Sequence, residues 1–184
     1  MQTTKNEREP STQIRLWEER DIERLAELEI LCFSEPWSKA MLEEEWQNPL
    51  AKYLVYELEG SVQAYAGAWV IVDEVHITNV AVHPECRRHG MAHDLLLGMM
   101  AMISREPVVG MTLEVREGND DALALYQKNG FSIAGKRPNY YGNGASALIM
   151  WNHDISSTLT TQREYMVARE RLMTFLQSIS YILK

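Results

Sequence analysis

The chain has 184 residues, 18 Lys and Arg against 26 Asp and Glu, a net charge of −8, 46% hydrophobic and 24% charged residues. That balance excludes wholesale disorder and fits one compact α/β domain. No apolar run approaches the ~18–20 residues of a membrane span, and the first residues lack a signal peptide's apolar core. Two cysteines, Cys32 and Cys86, exclude a disulfide scaffold and a four-cysteine zinc site. A reducing cytoplasm is expected. The acidic balance argues against general nucleic-acid binding and is compatible with a basic peptide substrate.

Residues 1–11 are polar and aperiodic and read as a flexible tail. Ile14 to Trp17 is expected to form a short strand, and Asp21 to cap a helix carrying Ile22, Leu25, Leu28 and Cys32. Pro36 breaks that helix. Ser38 can cap a second helix with Met41, Leu42 and Trp46, and Trp37 and Leu42 stand at the positions of a hydrophobic staple. Tyr53 to Leu58, a Glu59-Gly60 turn, and Val62 to Val72 read as a hairpin, with a further turn at Asp73-Glu74 into Val75 to Val82.

After Val82 the pattern changes to strand–helix–strand. Ala92, Leu95, Leu96, Met99 and Ile103 form the helical stripe, and Met111 to Val115 the next strand, which a right-handed crossover places parallel to the one before. Asn119 is a good cap for another helix, closed by Gly130 in the left-handed conformation. Phe131 to Ala134 and Ala147 to Trp151 finish the sheet. Beyond Ile155, residues Tyr165, Ala168, Leu172, Phe175, Leu176, Ile179 and Leu183 fall on one helical face. That face reads first as a helix docked on its own domain and second as a dimerisation helix.

The stretch Asn79-Val80-Ala81-Val82-His83-Pro84-Glu85-Cys86-Arg87-Arg88-His89-Gly90-Met91-Ala92 carries the most chemistry. A strand runs into a basic turn whose N–H groups open a helix, a natural seat for phosphate. Gly90 permits close backbone approach. The motif is neither a Walker loop nor a dinucleotide fingerprint, and an ordinary strand–helix turn with surface arginines explains the same residues.

Arg87, Gly90 and Ala92, spaced R-x-x-G-x-A after N-V-A-V, resemble the acetyl-CoA signature of the GNAT acetyltransferase superfamily. The resemblance implies a mixed central sheet of about six to seven strands flanked by helices on both faces, plus a C-terminal helix. It spans residues 12–154 as one acetyltransferase domain, with 155–184 as a helical extension longer than the family's usual ending. Three further stretches are similar to the bacterial ribosomal-protein-alanine N-acetyltransferases (RimI type). They are Glu114 with Asn119, Ala122, Leu125-Tyr126 and Gly130-Phe131; Pro36-Trp37-Ser38; and Arg137-x-Asn139-Tyr140-Tyr141. His83 departs from the acidic residue common after the strand.

By this resemblance acetyl-CoA is the co-substrate and no metal is needed. Amides of Arg88, His89, Gly90, Met91, Ala92 and His93 line the pyrophosphate, with Arg87 beside them. Val80, Ala81 and Val82 pair with the pantetheine arm, the Val82 N–H polarises the thioester carbonyl, and Asn119 bonds the cofactor while capping its helix. Glu114 is the general base, acting through water, and Tyr126 the acid toward the thiolate. The competing readings are a Glu114–Arg116 surface pair and core packing for Tyr126. Trp37, Tyr140 and Tyr141 line a peptide groove or, alternatively, an aromatic core. An acyl-cysteine route through Cys86 lacks a His–acid pair to orient it.

The implied activity is acetyl transfer to the N-terminal alanine of a small-subunit ribosomal protein of the S18 type. The alternatives are a small-molecule amine, other protein N-termini, or a non-catalytic CoA-binding module. No nucleic-acid or membrane partner is implied, and a monomer or weak homodimer through the C-terminal helix is expected.

Overall fold

The computed structural model describes residues 12–142 and 144–179; the expected tail at residues 1–11, and Leu183, lie outside them. The chain runs β1 (Thr12–Leu16), α1 (Ile22–Cys32), α2 (Lys39–Gln47), β2 (Ala51–Leu58), β3 (Ser61–Ile71), β4 (Glu74–Val82) and α3 (Met91–Ile103). It continues through β5 (Gly110–Arg116), α4 (Asp120–Lys128), β6 (Ser132–Arg137), β7 (Ala147–Asn152), α5 (Ile155–Thr161), α6 (Arg163–Ala168) and α7 (Glu170–Ser178). The strands form one seven-stranded sheet in the order β1-β2-β3-β4-β5-β7-β6. Only β4 and β5 run parallel, as the crossover through α3 requires. Among the described residues no helix is long and apolar enough to cross a membrane.

Two apolar layers cover the sheet. One face carries α3, α5 and α7, whose Leu95, Leu96, Met99, Leu159, Leu172, Phe175 and Leu176 pack with Leu113 and Val115 of β5. The other face carries α1 and α2, with Leu25, Leu28 and Leu42 against Tyr53, Val55 and Tyr65. Trp17 stacks on Tyr53 at 4.4 Å and meets Trp46 edge-on at 5.1 Å, closing the outer end of this layer.

Local chemistry explains most boundaries. Glu59 and Gly60 both take positive φ (52° and 79°), the geometry of a two-residue hairpin turn between β2 and β3. The Ser38 hydroxyl accepts the Met41 N–H at 3.3 Å and starts α2; Leu42 is fully buried, whereas Met41 faces solvent. Asn119 accepts the Ala122 N–H at 3.3 Å, and Gly130 ends α4 at φ 79°.

Three expectations need correction. Asp21 does not cap α1 with its side chain: it accepts from the Glu18 N–H at 2.7 Å and from the Arg15 guanidinium at 2.7 and 2.8 Å. A single 3-10 turn, Glu19–Asp21, therefore precedes the helix. The β3–β4 turn falls at Val72 and Asp73, one residue early, with Val72 at φ 58°. Among the described residues the extension is not one helix but three short ones: Gln162 separates α5 from α6, and Arg169 is extended between α6 and α7 (φ −106°, ψ 91°).

Candidate active site

The candidate site begins as a defect in the sheet. Strands β4 and β5 pair only through Glu74–His76 and Gly110–Thr112, and beyond that point they part. An extra residue in β4, Thr78, lies between the pairs Gly67–Asn79 and Ala68–Ile77 and resets which face the following side chains occupy. Asn79 therefore faces the α1–α2 side, while Val80 and Val82 pack toward the α3 layer.

Hydrogen-bond alternation sets what the parted edge offers. The His83 N–H donates to the Gln63 carbonyl at 2.8 Å, so the bonded pairs of β3 and β4 are Gln63–His83 and Tyr65–Ala81. Val80 and Val82 consequently direct their N–H and C=O groups into the gap, and Ala81 turns its own toward β3. The Val82 carbonyl accepts from Cys32 Sγ and from Arg87 Nε, each at 3.3 Å. The Val82 N–H is left pointing at the opening.

At the lower end of the gap, α3 begins from Gly90 at φ 84°, preceded by Arg88 at φ 67°. The first intrahelical bond runs from the Asp94 N–H to the Gly90 carbonyl at 2.9 Å. The amides of Met91, Ala92 and His93 have no carbonyl within the helix to donate to, and they carry the positive end of its dipole. This donor set fits a diphosphate.

The side chains of the basic bend are otherwise engaged. Arg88 pairs with Asp121 at 2.9 Å, both exposed, and His89 Nδ1 lies 3.2 Å from the Cys86 carbonyl. Met91 is buried in the core, and the His93 imidazole is 3% exposed, with Nδ1 3.0 Å from Asn129 Oδ1. Burial, aided by the Lys128 charge, holds His93 below its ordinary pKa. Met91 and His93 thus present main chain, not side chain, at this end.

Glu114 lies on β5 opposite Ile149 of β7, with its neighbours Leu113 and Val115 in the α3-side core. By strand alternation its carboxylate emerges on the α1–α2 side. The expected Arg116 partner is instead stacked over the Tyr141 ring, 4.4 Å from its centre, and Glu114 Oε1 pairs with Arg137 Nη1 at 3.0 Å. Tyr140 hydrogen-bonds the same carboxylate, which together with burial raises the phenol's pKa. Tyr126 comes from the other face: it is buried on α4, edge-on to Phe131 at 5.9 Å, and burial pushes its hydroxyl up to about 12. The neighbouring Tyr141 adds to that rise.

Tyr140 and Tyr141 lie beside Glu114, and Trp37 is partly buried against the α1–α2 layer. Tyr140 and Tyr141 meet edge-on at 5.2 Å, and the Trp37 ring lies 6.5 Å from Trp69. The two loops that carry them touch: Glu35 Oε1 is 3.2 Å from where a Cβ on Gly142 would stand. The Cys86 thiol lies 3.9 Å from Gln63 Oε1, and among the described residues no His–acid pair is seen beside it.

One residue at the centre was passed over in the sequence. Glu29, fully buried on α1, accepts from Tyr65 Oη, Asn79 Nδ2 and the Trp37 N–H, the last at 2.7 Å. It ties the Trp37 loop to β3 and to the bulged part of β4. An acid next to Leu28 and four residues after Leu25, on the buried stripe, was the available signal, since such a group needs partners.

Comparison with known proteins agrees with this geometry. Residues 22–131 match the model of the acetyltransferase (GNAT) family. A relative from Bacillus subtilis (strain 168) is 38% identical over 133 residues, 71% of this chain and 88% of its own length. The ribosomal protein bS18-alanine N-acetyltransferase of Haemophilus ducreyi is 34% identical over 138 residues, 72% of this chain and 93% of its own. The crystal structure of the ribosomal-protein-S18-alanine N-acetyltransferase from Escherichia coli superposes with a TM-score of 0.72 at 30% identity, covering 77% of this chain and 92% of that one. With its mixed seven-stranded sheet, the parted β4 and β5 strands and a family match over most of the catalytic core, this chain belongs to the GNAT acetyltransferase family, whose acetyl donor is acetyl-CoA.

Proposed function

We propose that this chain is an Nα-acetyltransferase that moves an acetyl group from acetyl-CoA to the N-terminal alanine of a ribosomal protein of the bS18 type in the cytoplasm. The carrying observation is the arrangement around the gap. Free α3 amides and the Val82 N–H border it, with Glu114 on one face and Tyr126 on the other. The bS18 acceptor rests on the names of relatives at 34–35% identity.

Acetyl-CoA supplies the acyl group as an activated thioester. The amides between Arg88 and His93 bind its diphosphate, and Val80 and Val82 align the pantetheine arm as an added strand. Asn119, capping α4, lies on the cofactor side. The Val82 N–H stabilises the negative charge that grows on the carbonyl oxygen.

An α-ammonium of ordinary pKa ~7.7–8.0 must lose a proton before it can attack, and Glu114 accepts that proton through water. A lysine side chain near ~10.4 is harder to deprotonate, which favours the terminus. Trp37, Tyr140 and Tyr141 hold the first residues of the peptide. Tyr126, pushed up to about 12, stays protonated through the working range. Against a thiol of ordinary pKa ~8.5, a phenol of that strength offers a hydrogen bond to the departing sulfur rather than complete proton transfer.

A panel of peptides differing only in the first residue, incubated with acetyl-CoA and read by mass spectrometry, tests the proposal. One acetyl on the α-amine of the alanine peptide is expected. Labelling confined to lysine side chains or to small amines would overturn the acceptor assignment.

A further inference from the structure

Helices α6 and α7 lie beyond the residues that the family match covers, yet they reach back to the start of α3. Asp94, in the first turn of α3, is 0% exposed. Arg169, at the α6–α7 junction, places Nε 3.2 and 3.1 Å from Asp94 Oδ1 and Oδ2, and Nη2 2.6 Å from Oδ2. The Tyr165 hydroxyl donates to Oδ1 at 2.8 Å. The same Arg169 Nη2 donates to the His89 carbonyl at 3.2 Å, so one guanidinium holds both the buried acid and the bend ahead of it. Gly90 fits tightly under this pair: a Cβ there would stand 3.0 Å from Tyr165 Oη and 3.3 Å from Arg169 Nη2.

Asp94 is one residue past the last free amide of α3, so its charge lies within about one helical turn of any anion bound there. An unpaired carboxylate so close would repel a diphosphate, and burying it unpaired is itself costly. We infer that Arg169 and Tyr165 are positioning residues for donor binding: the C-terminal extension neutralises Asp94 and fixes the His89–Gly90 bend, so that the amides of Met91 to His93 can receive a diphosphate. This rests on the proposed donor seat. It gives the extension a part in donor affinity, separate from its packing of Leu172, Phe175 and Leu176 into the core.

The test is calorimetric titration of coenzyme A into the full-length wild type, Arg169→Met, Asp94→Asn/Arg169→Met and Tyr165→Phe, with peptide KM measured at saturating acetyl-CoA. Arg169→Met should weaken coenzyme A binding about tenfold or more and leave peptide KM unchanged. The double variant should recover most of that loss, because the charge needing neutralisation is gone; loosened packing alone would not be rescued this way. Tyr165→Phe, which keeps the ring and the ion pair, should weaken binding about threefold and covers the case in which Arg169→Met fails to fold. Wild-type affinity in Arg169→Met, or in Tyr165→Phe should the former not fold, overturns the inference alone, as does a double variant as weak as the single. A wild type that binds no coenzyme A overturns the donor seat and this inference with it.

Discussion

Glu114 meets two partners before any substrate arrives, Arg137 at 3.0 Å and the Tyr140 hydroxyl, and all three lie at the same opening. If its task is to take a proton from the acceptor amine, Glu114→Gln should lower kcat at neutral pH by roughly 10²-fold with little change in the KM for acetyl-CoA. The deficit should narrow as the pH passes the amine's own ~7.7–8.0, where the nucleophile deprotonates unaided. Steady-state rates across that range decide it, and full activity of the variant at neutral pH would remove Glu114 as the base. His93 gives a second handle. Burial, the main cause, and Lys128 depress its folded pKa below the ordinary 6.5, so between those two values the unfolded chain binds a proton that the folded one refuses. Stability contributed by neutral His93 is thus present above about pH 6.5 and is lost as the pH falls through that window. Thermal melts should show the wild type losing more stability from pH 7 to 5.5 than His93→Gln; parallel losses would contradict the assignment.

Among the elements, the bend into α3 is the most demanding. Gly90 combines φ 84° with van der Waals crowding from Tyr165. Gly90→Ala should cost about 1–2 kcal/mol from the left-handed backbone alone and weaken coenzyme A binding as the bend shifts; denaturant melts and a coenzyme A titration read both, and an unaltered melt would contradict the backbone argument. The elements that local pattern controls were legible in the chain: the Ser38 and Asn119 caps, the Glu59-Gly60 turn, the α3 stripe and the β4–α3–β5 crossover each depend on residues a few positions apart. Motif resemblance singled out Glu114, Tyr126, Trp37, Tyr140 and Tyr141 as candidates, without the partners the structure gives Glu114. What escaped was set at a distance. Arg169 breaks the C-terminal helix to reach Asp94, 75 positions earlier, and Glu29 finds Tyr65 and Asn79 only because the sheet sets β3 and β4 beneath α1. No window of sequence contains those pairs.

At the scale of the whole molecule, one sheet separates two approaches. The α3 layer presents the free amides and Tyr126, the α1–α2 layer presents Glu114 and the aromatic mouth, and the parting of β4 from β5 joins them. The net charge of −8 is compatible with a basic acceptor peptide, and for such a peptide the rate of encounter should fall as ionic strength rises. The central claim is that the donor occupies this parting, with its diphosphate on the first turn of α3. Backbone amide resonances of the full-length protein, followed by NMR as coenzyme A is added, examine it most directly. The account predicts the largest shifts at Met91, Ala92 and His93, with Val80 and Val82 moving next; saturation with those amides unmoved and the changes grouped around Gln127, Trp151 and Thr161, at the groove between β7 and α5, would contradict it.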